Sequence, residues 1–285
     1  MNIESWEEFR QINRAIDQFA DGIENSIHLK GAVSHICNSG GKKIRPIMLM
    51  LSAEVCGAEI KDSLDAALAI ELIHSASLIH DDLLDMGTIR RGVETAHEKY
   101  GNGVAMLAGD YLISKSIELL APYQKEVIAD FGKAGMKMAD GEVIDIKGFS
   151  DKEYDEHNYF RCIRDKTASL FAASTAMGAY VAEATEDEVA YLREYGERVG
   201  IAYQILDDLL EYRKILSDKH SIQHSTGLVE IYSLNMNPED AMQKVENLVH
   251  EEVNLANELL NKFPDSPARD KLFQITEYAT FCMLP

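Results

Sequence analysis

Residues 64–84 read LDAALAIELIHSASLIHDDLL, and this stretch decides the fold. Leu68, Leu72, Ile79 and Leu83 recur along it at helical spacing. No proline interrupts it. Prolines stand only at 46, 122, 238, 264, 267 and 285, so 47–121 and 123–237 lack the residue that breaks helices. A second stretch, 196–212, repeats the stripe with Val199, Ala202, Leu206 and Leu210. Sustained period-two alternation is absent and Asn-Gly hairpin signals are few, so no strands are expected. The chain reads as all-α, a bundle of about ten helices. No linker or internal repeat divides it, so residues 1–285 are expected to form one domain. Residues 213–237, rich in Ser, His and Asn, are the least regular part, and 213–227 within them are expected to form a mobile loop.

Composition narrows the function. The 285 residues are 46% hydrophobic, which argues against disorder. Their 28 basic and 48 acidic residues leave a net charge of −20, which speaks against nucleic acid as a partner. An anionic small ligand needs local cations or metal ions to reverse that field. Cys37, Cys56, Cys162 and Cys282 are scattered without a CxxC pair, which suggests reduced thiols and a cytoplasmic setting. The acidic start, MNIESWEEFRQ, has no signal-peptide character, and no apolar run is long enough to span a membrane.

The chemistry is carried first by acids. In His80-Asp81-Asp82-Leu83-Leu84-Asp85, Asp81 and Asp85 lie one turn apart on a helix face, with Asp82 beside them. An acidic triplet is ordinarily a solvated face. Here it is embedded among Leu78, Ile79, Leu83 and Leu84, where acids are costly without a partner. Carboxylates this close repel unless a cation sits between them, and hard oxygen ligands suit Mg²⁺ bridged to phosphate. Tyr203-Gln204-Ile205-Leu206-Asp207-Asp208-Leu209-Leu210-Glu211 repeats the pattern. Two such helices can face each other across a cavity.

Cations accompany them. Gly40-Gly41-Lys42-Lys43-Ile44-Arg45-Pro46 places three cations at a helix start, a setting that favours phosphate. Arg90-Arg91-Gly92 follows the first acidic motif, and Lys166-Thr167 lies in a third helical stretch. Each alone is an ordinary exposed ion pair. Together, next to acid clusters in so acidic a chain, they point to bound phosphate.

Five segments in order, GGKKIRP at 40–46, ELIHSASLIHDDLLDMGTIRRG at 71–92, GDYL at 109–112, KTASLF at 166–171 and YQILDDLLE at 203–211, resemble the trans-isoprenyl diphosphate synthases. The resemblance implies a helical bundle around a central cavity and a head-to-tail prenyltransferase. Such an enzyme joins an allylic diphosphate to isopentenyl diphosphate, with three Mg²⁺ ions and a homodimer. It implies that Asp81, Asp82 and Asp85 bind metal and the allylic diphosphate, with Asp207, Asp208 and Glu211 holding further metal. Lys42, Arg45, His74 and Arg91 match the isopentenyl diphosphate site. Arg90, Lys166 and Gln204 match the allylic diphosphate contacts. His74 also reads as a satisfied buried histidine.

Two departures stand out. Glu211 replaces the usual aspartate, and the segment after it lacks the usual Asp, with Lys219 a candidate for the usual lysine. They motivate a rival reading, a weakly active or non-catalytic subunit that modulates a partner synthase. A terpene cyclase is disfavoured by the cationic site. Product length should depend on Ile73, Ala76 and Ser77, upstream of Asp81 on its helix face. No aromatic plugs that face, so a product of twenty carbons or more is expected, shortened by Ala76→Phe.

Overall fold

A computed structural model describes residues 2–24, 26–148, 155–217 and 227–281. After a 3₁₀ turn at Ile3–Ser5, the first elements are α1 (Glu7–Asp21), α2 (Ile27–Cys37), α3 (Ile44–Val55) and α4 (Ile60–Leu84). A two-stranded hairpin, β1 (Ile89–Arg90) and β2 (Val93–Glu94), leads into α5 (Ala96–Tyr100), α6 (Asn102–Leu120) and α7 (Lys125–Gly148). Next come α8 (Glu156–Ile163), a π-helical turn at Arg164–Ala168, α9 (Ser169–Val181) and α10 (Glu186–Ser217). The described chain ends with α11 (Leu228–Ser233), α12 (Pro238–Leu260) and α13 (Pro267–Phe281). Short pieces such as α5 and α11 carry the number of helices above the ten expected.

Helix α4 begins at a capping box, in which Asp62 accepts from the Glu59 amide at 3.0 Å. Leu68, Ile70, Leu72, Ile73, Ala76 and Ile79 are all buried, so the helix is apolar nearly all round and runs through the core. It packs on α3, α6 and α9, and α9 is itself buried along most of its length. The principal core unites these helices with α1, α2, α7 and α13. A second cluster joins Tyr159 and Ile163 of α8 to the second half of α10, α11 and α12. Helix α10 bridges the two, which places Asp207 opposite the end of α4. Among the described residues no helix is long and apolar enough to cross a membrane.

Two expectations need correction. The hairpin pairs Ile89 with Glu94 and Arg90 with Val93. Its two central residues, Arg91 and Gly92, have φ of 50° and 81°, as a two-residue hairpin turn with positive φ requires. Arg-Gly is a weaker signal than Asn-Gly, and the strands are too short to alternate visibly. Residues 213–217 are the last turn of α10 rather than a loop, with Arg213 paired to Glu246 of α12. The rest of that expected loop, residues 218–226, lies outside the described residues.

Helices α1, α3 and α13 meet at two acids, buried Glu8 and half-buried Glu54. Burial pushes the Glu54 carboxyl up from its ordinary 4.5 to about 7, helped by the charge and hydrogen bond of Glu8. Lys271 of α13 opposes this and pairs with Glu8 at 2.6 Å. Between pH 4.5 and 7 the folded chain holds a proton that the unfolded chain has released. The stability from this group is therefore fully present below 4.5 and lost as pH rises through 7. Glu54→Gln should flatten that slope and leave the protein more stable than wild type at pH 8. Urea midpoints at pH 5 and 8 check this, and a wild type that loses no more than the variant between them would contradict it.

Candidate active site

The C-terminal end of α4 delivers the first acidic motif. Asp85 caps the helix and is exposed, its amide bonded to the Asp81 carbonyl at 2.9 Å. Asp82 is buried and accepts from Arg90 Nε at 2.7 Å, so the hairpin folds its first arginine back onto the motif. Asp81 points into a cavity of about 720 Å³ between α4, α6 and α7. That cavity is apolar, with Ile73, Ile113, Ile117, Ile128 and Phe131 in its wall. A second, polar cavity of about 470 Å³ lies beside it, between residues 41–45, α4, the hairpin, α9 and α10. Ser77, Asp81, Met138 and Lys166 line both cavities, and Asp207 lines the polar one. The two acidic helices thus meet at one space.

Electrostatics mark Asp81. Burial holds its carboxyl up at about 7, with Glu142 of α7 adding repulsion and Lys166 and Arg90 opposing. Lys166 reaches the site from the π-helical turn and binds Glu142 at 2.7 Å and Asp145 at 2.6 Å. Burial alone would lower its pKa, but the two carboxylates outweigh it, and Lys166 stays cationic. The close approach depends on Gly141 of α7, where a Cβ would lie 2.2 Å from the Lys166 amide nitrogen. Gly141→Ala should therefore force the π-helical turn outward and cost about 1–3 kcal/mol of stability, with activity falling in step. Thermal unfolding and turnover together test this, and a variant with wild-type values in both would contradict it.

Asp208 faces elsewhere. It accepts from Tyr159 at 2.5 Å and from Gln204 Nε2 at 2.8 Å, and Gln204 Oε1 in turn accepts from Thr167 at 2.8 Å. Burial raises Asp208 to about 7; these hydrogen bonds lower it, and Asp207 and Glu211 add repulsion. Asp208, Asp85 and Glu211 are not among the residues lining either cavity, whereas Gln204 lines the polar one. Asp208 therefore braces α10 against α8 in this arrangement.

The cations of the polar cavity are held from several sides. Arg45 stacks on Phe171, 4.3 Å from the ring centre, with Nη1 3.3 Å from His74 Nε2. Burial, reinforced by Arg45 and Arg91, pushes His74 well below its usual range, so the ring is neutral and Nε2 accepts. Arg91 Nη1 donates to the Gly40 carbonyl at 2.5 Å. Lys42 donates to the Tyr278 hydroxyl of α13, its ammonium 3.9 Å above that ring.

Of the chain-length residues, Ile73 and Ser77 line the apolar cavity. Ala76 does not: it is fully buried against neighbouring helices, which corrects the expectation that it faces the tunnel. An aromatic does line the cavity, Phe131 of α7, outside the segment whose spacing was informative. The spacing also missed Glu142, Asp145 and Tyr159. Gly141-Glu142-Val143-Ile144-Asp145 does place two acids one turn apart, but among many other acids that signal is weak.

Among the described residues no three of His, Cys, Asp or Glu converge into a ready-made metal cage. The donor chemistry nonetheless fits Mg²⁺, which takes one or two carboxylates and completes its shell with water and substrate phosphate. A desolvated Asp81 carboxyl, repelled by Glu142 and facing the same space as Asp207, is an acid whose burial Lys166 and Arg90 only partly offset.

The chain was compared with known proteins. A polyprenyl synthetase family model matches residues 27–252. A geranylfarnesyl diphosphate synthase from Methanosarcina mazei is 49% identical over 284 residues, covering 100% of this chain and 96% of that protein. A short chain isoprenyl diphosphate synthase from Methanothermobacter thermautotrophicus is 39% identical over 202 residues, covering 69% of this chain and 61% of that protein. The crystal structure of a geranyltranstransferase from Methanosarcina mazei superposes with a TM-score of 0.87 at 48% identity, covering 100% of both chains.

Proposed function

This chain belongs to the polyprenyl synthetase family, and from that premise we propose that it condenses an allylic diphosphate with isopentenyl diphosphate, head to tail. The product is an all-trans polyprenyl diphosphate of twenty carbons or more, with diphosphate released. The observation that carries this reading is the joining of an apolar cavity to a cationic one at Asp81 and Lys166.

Asp81 and Asp207, the two motif acids that line the polar cavity, would hold Mg²⁺ first; Asp85 and Glu211 would join from beside it, and Asp82 and Asp208 would do so on leaving Arg90 and Tyr159. The ion supplies charge stabilisation as diphosphate departs. Arg90 and Lys166 neutralise the allylic diphosphate, and Lys166 is fixed for this by Glu142 and Asp145. Gln204 adds an amide beside Asp207 at the rim of the same cavity. Lys42, Arg45 and Arg91 bind the diphosphate of the five-carbon substrate, and neutral His74 orients Arg45 through Nε2. Ile73, Ile113, Ile128 and Phe131 keep water from the reacting carbon and receive the growing chain. No side chain needs to act as nucleophile, and the departing diphosphate is the base that accepts the lost proton.

We place residues 1–285 in one functional unit, working as a homodimer in the cytoplasm. Exposed Met106 and Leu107 of α6 and Met136 of α7 are apolar surface that a second copy would cover. Cys37 and Cys56 are not joined in a disulfide among the described residues, as in a reducing compartment. The test uses purified protein with Mg²⁺, isopentenyl diphosphate and each of the C5, C10, C15 and C20 allylic starters. Diphosphate release with product extension supports the reading. No turnover by the protein alone, with activity appearing only beside a partner synthase, would favour a modulating subunit instead.

A further inference from the structure

Glu71 has no part in the machinery above, yet it lies on α4 one turn before His74. Its Oε1 accepts from Lys43 Nζ at 2.9 Å, and each side chain of this pair is only 4% exposed. Lys43 caps the N-terminus of α3 with left-handed backbone, φ 54°. Such backbone is disfavoured for any residue with a Cβ, so something must hold it there. The two preceding glycines also have positive φ, 83° at Gly40 and 113° at Gly41. Lys43 Nζ further donates to the Gly40 carbonyl at 3.1 Å. That same carbonyl accepts from Arg91 at 2.5 Å, so one oxygen ties together the loop, the buried pair and the hairpin. At Gly41 a Cβ would lie 2.7 Å from Arg91 Nη1, so the loop and this arginine are closely fitted. Lys42, between Gly41 and Lys43, remains exposed at the polar cavity.

We propose that Glu71 is a positioning residue: by anchoring Lys43 it fixes the turn that aims Lys42, and through the Gly40 carbonyl Arg91, at the diphosphate of the five-carbon substrate. This rests on the reading of Lys42 and Arg91 given above. Stability alone is a poor reason for the pair, because a buried ion pair is commonly matched or bettered by apolar residues of similar size. What apolar residues cannot reproduce is the directed Nζ hydrogen bond that holds the Gly40 carbonyl.

Steady-state kinetics with each substrate varied in turn tests the inference. Glu71→Gln should raise KM for isopentenyl diphosphate by roughly tenfold or more, the scale of one lost charged hydrogen bond. KM for the allylic substrate and kcat should stay within about twofold, since the allylic contacts do not involve this loop. Lys43→Arg, which keeps a cation opposite Glu71, should retain much of the wild-type affinity. The double variant Lys43→Met with Glu71→Leu should unfold at or above the wild-type temperature yet keep the raised KM. An unchanged KM in the active single variant, or a double variant with wild-type KM, would overturn the inference and leave the site reading intact. A wild type that consumes no isopentenyl diphosphate would instead sink the site reading, and this inference with it.

Discussion

Asp81→Asn is expected to lower kcat on the order of 10²–10³-fold while the protein stays folded. Asp81 is the one carboxylate of the first motif that lines both cavities. Asp82 is engaged by Arg90, and Asp85 sits past the helix end in solvent. The burial that raises Asp81 to about 7 means that the folded chain carries this charge at a cost. A neutral amide of the same shape removes that cost, so stability should hold or rise while metal-linked binding of diphosphate fails. Single-turnover rates at saturating Mg²⁺, with circular dichroism of the variant, separate the two effects. A loss of less than about tenfold would mean that another residue carries this work.

Phe131→Ala is expected to lengthen the dominant product by one or more five-carbon units, and Ser77→Phe to shorten it. Phe131 stands in the apolar wall, on α7, and its side chain is almost wholly buried. Removing the ring opens space where a growing chain must turn or stop. The buried ring also supports the core, so the variant should lose about 3 kcal/mol of stability, the low end for Phe→Ala because one face already borders a cavity. Ser77 lines both cavities, so a ring there would block the passage close to the reacting end. Ala76→Phe belongs to a different class: a ring at this fully buried position strains α4 against its neighbours and should reduce folded yield before it changes product length. Chromatography of the dephosphorylated products reads all three. An unchanged distribution in both Phe131→Ala and Ser77→Phe would show that length is set elsewhere.

Much of the fold was legible because helical periodicity and proline placement are local. The apolar stripe of 64–84 became α4, and the proline-free stretches became α6, α7, α9 and α10. The hairpin was not legible, since its strands are two residues long and its turn uses Arg91 at positive φ. Within the site, repeated Asp-Asp pairs and cation runs stood out by spacing and His74 by family resemblance alone, and Asp81, Asp207, Lys42, Arg45, His74, Arg90, Arg91 and Lys166 all line the polar cavity. What spacing could not give was direction. Adjacent Asp207 and Asp208 look equivalent in sequence, yet Tyr159 and Gln204 turn Asp208 away from the cavity. Ala76 and Ser77 likewise sit side by side on α4, but only Ser77 reaches the cavity. Contacts between distant segments, such as Lys43 with Glu71 and Lys166 with Asp145, leave no periodic trace.

On the proposed function, Asp81 and Asp207, from different helices, grip a single diphosphate through shared divalent ions. Calorimetric binding of inorganic diphosphate to wild type, Asp81→Asn, Asp207→Asn and the double variant, with and without Mg²⁺, addresses it directly. Tight binding only with Mg²⁺, and single losses that overlap by about 1 kcal/mol or more in the double variant, is the expected result. Binding that ignores Mg²⁺, or losses that simply add, would mean that the two acids act at separate places.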